Sequence, residues 1–224
     1  MNIAWFFHLI NSDKIRNEGN LPGASQSTDC ALLFIRVCYY GKNLKRREKM
    51  AIEYEHMQKS VLRQIAEQMC VAARTAPKTR GRDHLIIKIL DSSEKESVMA
   101  KMKEIAERDS LPSCARDAEN ITHTEYMVLI GTKKQTLGLN CGFCGFPTCD
   151  ELDRSGGVCA YNSMDLGIAL GSCAALAARH HIDNRLMFSI GKAAVECGIL
   201  GDETVQAIGI PLSATGKNPF FDRK

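Results

Sequence analysis

Four cysteines within nineteen residues constrain this chain more than any other feature. They run Cys141-Gly-Phe-Cys144-Gly-Phe-Pro-Thr-Cys149 and end at Cys159, with Gly142, Gly145, Gly156 and Gly157 between them. The segment is rich in both glycine and thiol. It reads as a compact loop that aims several sulfurs at one inorganic centre. The spacing C-x2-C-x4-C-x9-C suits a [4Fe–4S] cluster, which four Cys thiolates hold, and glycine backbones allow amides to approach the cluster's sulfides. Zinc is the competing ligand. Structural zinc sites usually pair two short Cys or His knuckles, whereas only Cys141 and Cys144 form a knuckle here and no His lies between Cys141 and Cys159. Unliganded thiols or disulfides are the third reading.

With no signal-peptide pattern and no membrane-length apolar run the chain is expected to be cytosolic (cytoplasmic), and in that reducing compartment ten cysteines among 224 residues favour metal ligation over disulfides. At 45% apolar residues it can build a full core. A net charge of +3 with 6% aromatics gives no nucleic-acid surface. No apolar run nears the roughly 20 residues that span a bilayer, so no membrane association is expected.

Residues 1–49 read as an N-terminal extension with short apolar runs around Trp5-Phe6-Phe7 and Leu32–Ile35. It ends in the basic stretch Lys45–Lys49 before Met50, a credible start. It is expected to share little of the core, so that residues 50–224 form the domain, with the cysteine loop at 140–160. From Met57 the apolar positions Val61, Ile65, Met69, Ala72 and Ala76 recur at helical spacing, and Pro77 and Gly81 end that helix. His84–Leu90 reads as a core strand. Ser92 or Ser93 with Glu96 reads as a capping box for a helix to about Arg108. Glu125–Gly131 is a second strand, and Asn162–Arg179 a helix crowded with Gly167, Ala169, Gly171 and Ala174. Arg185–Ile190 as a strand, a helix Lys192–Ile199 and a strand Thr204–Pro211 complete an α+β pattern around one sheet.

Several segments together resemble the uncharacterised ferredoxin domain-containing protein family. They are Ala72–Gly81, the Cys141–Cys159 loop, Asp165–Gly171, Asp183–Gly191 and Gly209–Arg223. A weaker resemblance is to flavin nitroreductases. It rests on Ala76-Pro77 after a long helix, the small residues Gly167–Gly171, and Gly209-Ile-Pro211 at a strand's end. It implies a nitroreductase-like mixed sheet flanked by helices with the cysteine loop inserted, a homodimer, and FMN at the subunit interface. The Arg-Arg-Ser that binds flavin phosphate in that family is not matched; Gln58-Lys59-Ser60 stands nearest.

Arg74, Lys78, Arg80 and Arg82 crowd one helix-to-strand turn. Such a turn can grip a phosphate or stand as a solvated loop. Lys217 and Arg223 would supply the opposite side of the same flavin- or substrate-phosphate site. Asp183-Asn184-Arg185 reads either as a cofactor or subunit contact or as a structural turn. His180 and His181 point about 100° apart on a helix and do not readily share a metal. Cys70, Cys173 and Cys197 read as buried apolar residues, with Cys173 the substitute for a fourth ligand. No Ser-His-Asp or Cys-His set supports hydrolysis. The expected function is iron–sulfur electron transfer with an unknown redox partner, extending to an FMN-dependent oxidoreductase. The rival is a non-enzymatic module, zinc-stabilised or an iron–sulfur sensor or assembly subunit.

Overall fold

A computed structural model describes residues 51–221. The expectations for residues 1–49 and for Arg223 fall outside them. Helix α1, Tyr54–Thr75, places Leu62, Ile65, Ala66, Met69 and Ala73 on one buried stripe, as the three-and-four spacing predicts. A 3-10 turn at Thr79–Gly81 carries the chain into β1, Leu85–Leu90. Helix α2, Ser92–Arg108, follows; its N-cap is Asp91, whose carboxylate accepts from the Ser93 amide at 2.8 Å, rather than the serine capping box expected. Helix α3, Pro112–Asn120, was not anticipated in the sequence; it opens on a proline, which fits the first helical turn. Strand β2, Met127–Lys133, comes next, then the cysteine loop with its own short helix α4, Cys149–Ser155. The chain closes with α5, Ala160–Arg179; the two-residue β3, Asp183–Asn184; α6, Phe188–Glu196; β4, Thr204–Ser213; and a 3-10 turn at Pro219–Phe221.

The strand order is β1-β2-β4-β3 and the fold is α+β. Every described pairing is antiparallel, where a mixed sheet was expected. Alternation along the strands sends Val128, Ile130, Ile210 and Leu212 to one face, under α1 and α5. Met127, Leu129 and Ala207 point to the other, under α2, α3 and α6. The result is a central sheet between two helical layers.

Residues 185–190 form no strand. Met187 makes one isolated bridge to Gly209, and α6 begins at Phe188. This close approach depends on Gly191: a Cβ there would lie 1.8 Å from the Ala207 carbonyl oxygen, so α6 can rest on β4 only through a bare backbone. Asp183-Asn184-Arg185 acts structurally. Asp183 accepts from Asn218 Nδ2 at 3.0 Å, and Arg185 Nη1 donates to the Phe220 carbonyl at 2.8 Å with its guanidinium over the Phe221 ring. Buried Asp117 accepts from Ser189 Oγ at 2.7 Å and pairs with Arg116 and Arg185. Together these contacts pin the segment after β4 onto α3 and α6.

Candidate metal centre

The loop is built between the end of β2 and the start of α5. Leu137 drops into a small apolar cluster with Leu152 and Cys159, against which Cys144, Phe146 and Tyr161 pack. Between these anchors the backbone turns repeatedly through the left-handed region, at Gly138, Asn140, Gly142 and Gly145. The Gly145 amide donates to the Gly142 carbonyl at 2.9 Å, closing a tight turn around Cys144. Gly142 and Gly145, with φ of 73° and 85°, take this conformation without the Cβ clash another residue would meet. Asn140 ties the two ends of the loop: its Oδ1 accepts from the Cys149 amide at 2.8 Å, and its own amide points at Cys149 Sγ at 3.4 Å. Thr148 caps α4 by accepting from the Glu151 amide at 3.3 Å. Cys149 is the first residue of α4 and Cys159 the N-cap of α5. Both cysteines are therefore fixed by the backbone at the start of a helix.

Cys141, Cys144, Cys149 and Cys159 all line one pocket, with Leu137, Phe146, Leu152 and Tyr161 as apolar wall. Among the described residues no three His, Cys, Asp or Glu side chains close on one point as a metal ion would require. Cys173 lies elsewhere, buried against α1 with its thiol donating to the Met69 carbonyl at 3.0 Å, so it does not face the other three. Burial pushes the Cys173 thiol up to about 12 and the Cys70 thiol up to about 11. Phe146 lines the pocket. Phe143 is 68% exposed and instead stacks on Tyr161, ring centroids 5.7 Å apart. Asn140 and Tyr161 were missed in the sequence. Asn is the residue other than glycine most at home at positive φ, and its place before Cys141 was the available signal. His180 and His181 stand exposed at the end of α5.

At the basic turn Arg74, Lys78 and Arg80 each hold a protein acceptor. Arg74 Nη1 pairs with Asp83 at 2.6 Å and donates to the Leu85 carbonyl. Lys78 Nζ donates to the Ala73, Arg74 and Ala76 carbonyls, closing the end of α1. Arg80, at φ 58°, donates to the Leu137 carbonyl at 3.1 Å and so braces the base of the cysteine loop. Asp165, 5% exposed, holds the same turn by accepting from the Thr79 amide and hydroxyl. Lys217 lies on the segment after β4, where Thr215 Oγ1 donates to its carbonyl.

An α+β domain with a four-cysteine loop set between its central strand and its long helix defines the class. Residues 155–223 match the family model described as "Uncharacterized protein containing a ferredoxin domain", a span that includes Cys159. An uncharacterised protein of Archaeoglobus fulgidus is 42% identical over 164 residues, 69% of this chain and 88% of that protein. The chain belongs to this ferredoxin-domain family. Solved structures of similar fold include "the oxidoreductase containing FMN", 13% identical, TM-score 0.46, over 69% of this chain and 67% of that one. Another is a putative nitroreductase in complex with FMN from Desulfovibrio desulfuricans, 10% identical, TM-score 0.46, over 80% and 84%. Among the described residues no helix is long and apolar enough to cross a membrane.

Proposed function

We propose that this protein is a one-electron redox protein holding a [4Fe–4S] cluster on Cys141, Cys144, Cys149 and Cys159. The observation that carries this reading is that all four cysteines of the run, and none of the other described ones, line a single pocket. The donor set is all sulfur, the usual set for a [4Fe–4S] cluster, and no imidazole or carboxylate lines the pocket to favour a harder ion. When bound, such a cluster accepts and releases single electrons. The chain's own part is to hold the thiolates and tune them. The Asn140 amide is directed at Cys149 sulfur, the N-cap position of α5 fixes Cys159, and Leu137, Phe146 and Leu152 form the apolar inner wall.

Two finer elements belong to the same proposal. A homodimer would cover the face of α5 on which Met164, Gly167, Ile168, Gly171, Ala175 and Ala178 are exposed, because so apolar a stripe is costly to leave in water. A flavin between two copies would be the cluster's electron partner. Arg74, Lys78 and Arg80 would meet its phosphate only by giving up the contacts described above, which makes flavin content the quantity to measure beside iron. Anaerobic purification should give brown protein with absorbance at about 400 nm and about four irons per chain. Cys159→Ser should lower the iron content and Cys173→Ser should not. Stoichiometric zinc in anaerobic protein, or iron unchanged in Cys159→Ser, would remove the assignment.

A further inference from the structure

Beside the cysteine loop lies a second pocket, open to solvent and of about 460 Å³, lined by Arg82, His84, Lys134, Gln135, Thr136 and Asp153. Its cations differ from their sequence neighbours in one respect. Arg74, Lys78 and Arg80 spend their charge on protein acceptors, and Lys133 pairs with Glu203 at 2.8 Å. The Arg82 and Lys134 side chains have no such acceptor among the described residues. Lys134 reaches along the loop's edge until its Nζ stands over Gly156, 3.6 Å from where a Cβ would be.

His84 adds a directed group. Asn162 Nδ2 donates to the Lys133 carbonyl at 3.5 Å and to the Gln135 carbonyl, which turns Asn162 Oδ1 toward His84 Nδ1 at 3.1 Å. An amide oxygen only accepts, so Nδ1 carries the proton and Nε2 is the ring nitrogen left without a partner among the described residues. Asn162 is 2% exposed, so this orientation is held from inside the fold. Asp153 is the pocket's acid; it accepts from Thr136 Oγ1 at 3.2 Å, leaving its other oxygen to take a donor from a ligand.

We infer that this pocket is a binding site for a phosphate-bearing small molecule, gripped by Arg82 and Lys134, with His84 Nε2 meeting a phosphate hydroxyl. Guanidinium and ammonium groups without internal partners make their strongest available bonds to such an oxyanion. Asp153 would accept a hydroxyl of the rest of the molecule. The position bears on function, because Asp153 and Cys149 lie on the same face of α4, four residues apart, or about 6 Å along the helix axis. A ligand held here sits one helical turn from the proposed cluster. The site itself does not depend on that cluster, since none of its residues is a cysteine.

The test is calorimetric titration of the full chain with inorganic phosphate and, in a second arm, with glycerol 3-phosphate at constant ionic strength. Saturable binding at about 1 mM or tighter is expected. Arg82→Ala and Lys134→Gln should each weaken it by about tenfold, and Arg63→Ala, which removes an exposed cation on α1, should leave it unchanged. Tighter binding of the ester assigns the site to phosphomonoesters; equal binding assigns it to free phosphate. No saturable heat in either arm, unchanged affinity in both pocket variants, or equal weakening by Arg63→Ala would overturn the inference. Arg82 and Lys134 are exposed and have no acceptor among the described residues, so their loss should leave the melting temperature intact and the reading interpretable.

Discussion

The sheet and the cysteine loop are stabilised in opposite ways. The sheet buries side chains on both faces, and β2 is covered along nearly its whole length. The loop has three buried residues of its own, Leu137, Leu152 and Cys159, and otherwise depends on turns, one cap and the two-ended grip of Asn140. The sheet region can therefore stand on apolar burial, whereas the loop gains most from whatever binds its four thiols.

The comparison breaks most sharply at Gly191. Gly191→Ala forces a methyl into the Ala207 backbone and should destabilise the whole domain by about 3 kcal/mol, read as an earlier urea midpoint, because a backbone cannot step aside. A loss below about 1 kcal/mol would show that α6 does not rest on β4 as described. Metal removal should do the reverse. Chelation under anaerobic conditions is expected to raise amide hydrogen exchange across residues 138–158 while β2 and β4 keep their protection. Equal loosening of the strands would mean that loop and sheet fold as one unit.

Thiol chemistry sharpens the contrast between the two regions. Burial raises Cys70 and Cys173, so both stay protonated at pH 8, and Cys173 is in addition closed off from solvent. Among the described cysteines, alkylation of metal-free protein at that pH should mark Cys141, Cys144 and Cys149 first, with Cys70 joining only as the pH approaches 11; peptide mass mapping reads the order. The smallest effect belongs to the surface network of Arg108, Asp109, Lys192 and Glu196, which ties α2 to α6. Hydrogen bonds from Arg108 hold the Asp109 and Glu196 carboxyls below the usual range. A depressed carboxylate contributes stability above its unfolded value and loses it as pH falls through its folded one. The small melting-temperature gap between wild type and Arg108→Ala should therefore be present at pH 7 and begin to close below about pH 4. A gap that widens in acid would reverse that sign.

By itself the sequence determined the parts whose information is local. Helical spacing placed α1 and the body of α5, apolar runs placed β1, β2 and β4, and the density of cysteine and glycine marked the loop and its four candidate ligands. Periodicity failed where a segment is short or apolar all round: Arg185–Ile190 has strand-like composition, yet it turns into α6 because Gly191 and Gly209 allow a helix to lie against bare strand backbone. Only the tertiary structure decided which charges take an acceptor among the described residues and which do not. Arg74, Lys78, Arg80 and Arg82 look alike within nine residues of chain. Their difference arises from Asp83, the carbonyls closing α1, and Leu137 brought in from the loop, while Arg82 faces Lys134 and Asp153 across a pocket that forms only when β2's end and α4 come together. The same holds for the cysteines, since spacing alone left Cys159 and Cys173 as rivals. The turn of α5 that carries each one sets Cys159 at the loop and buries Cys173 against α1, because residues fourteen apart on a helix lie almost four turns from each other.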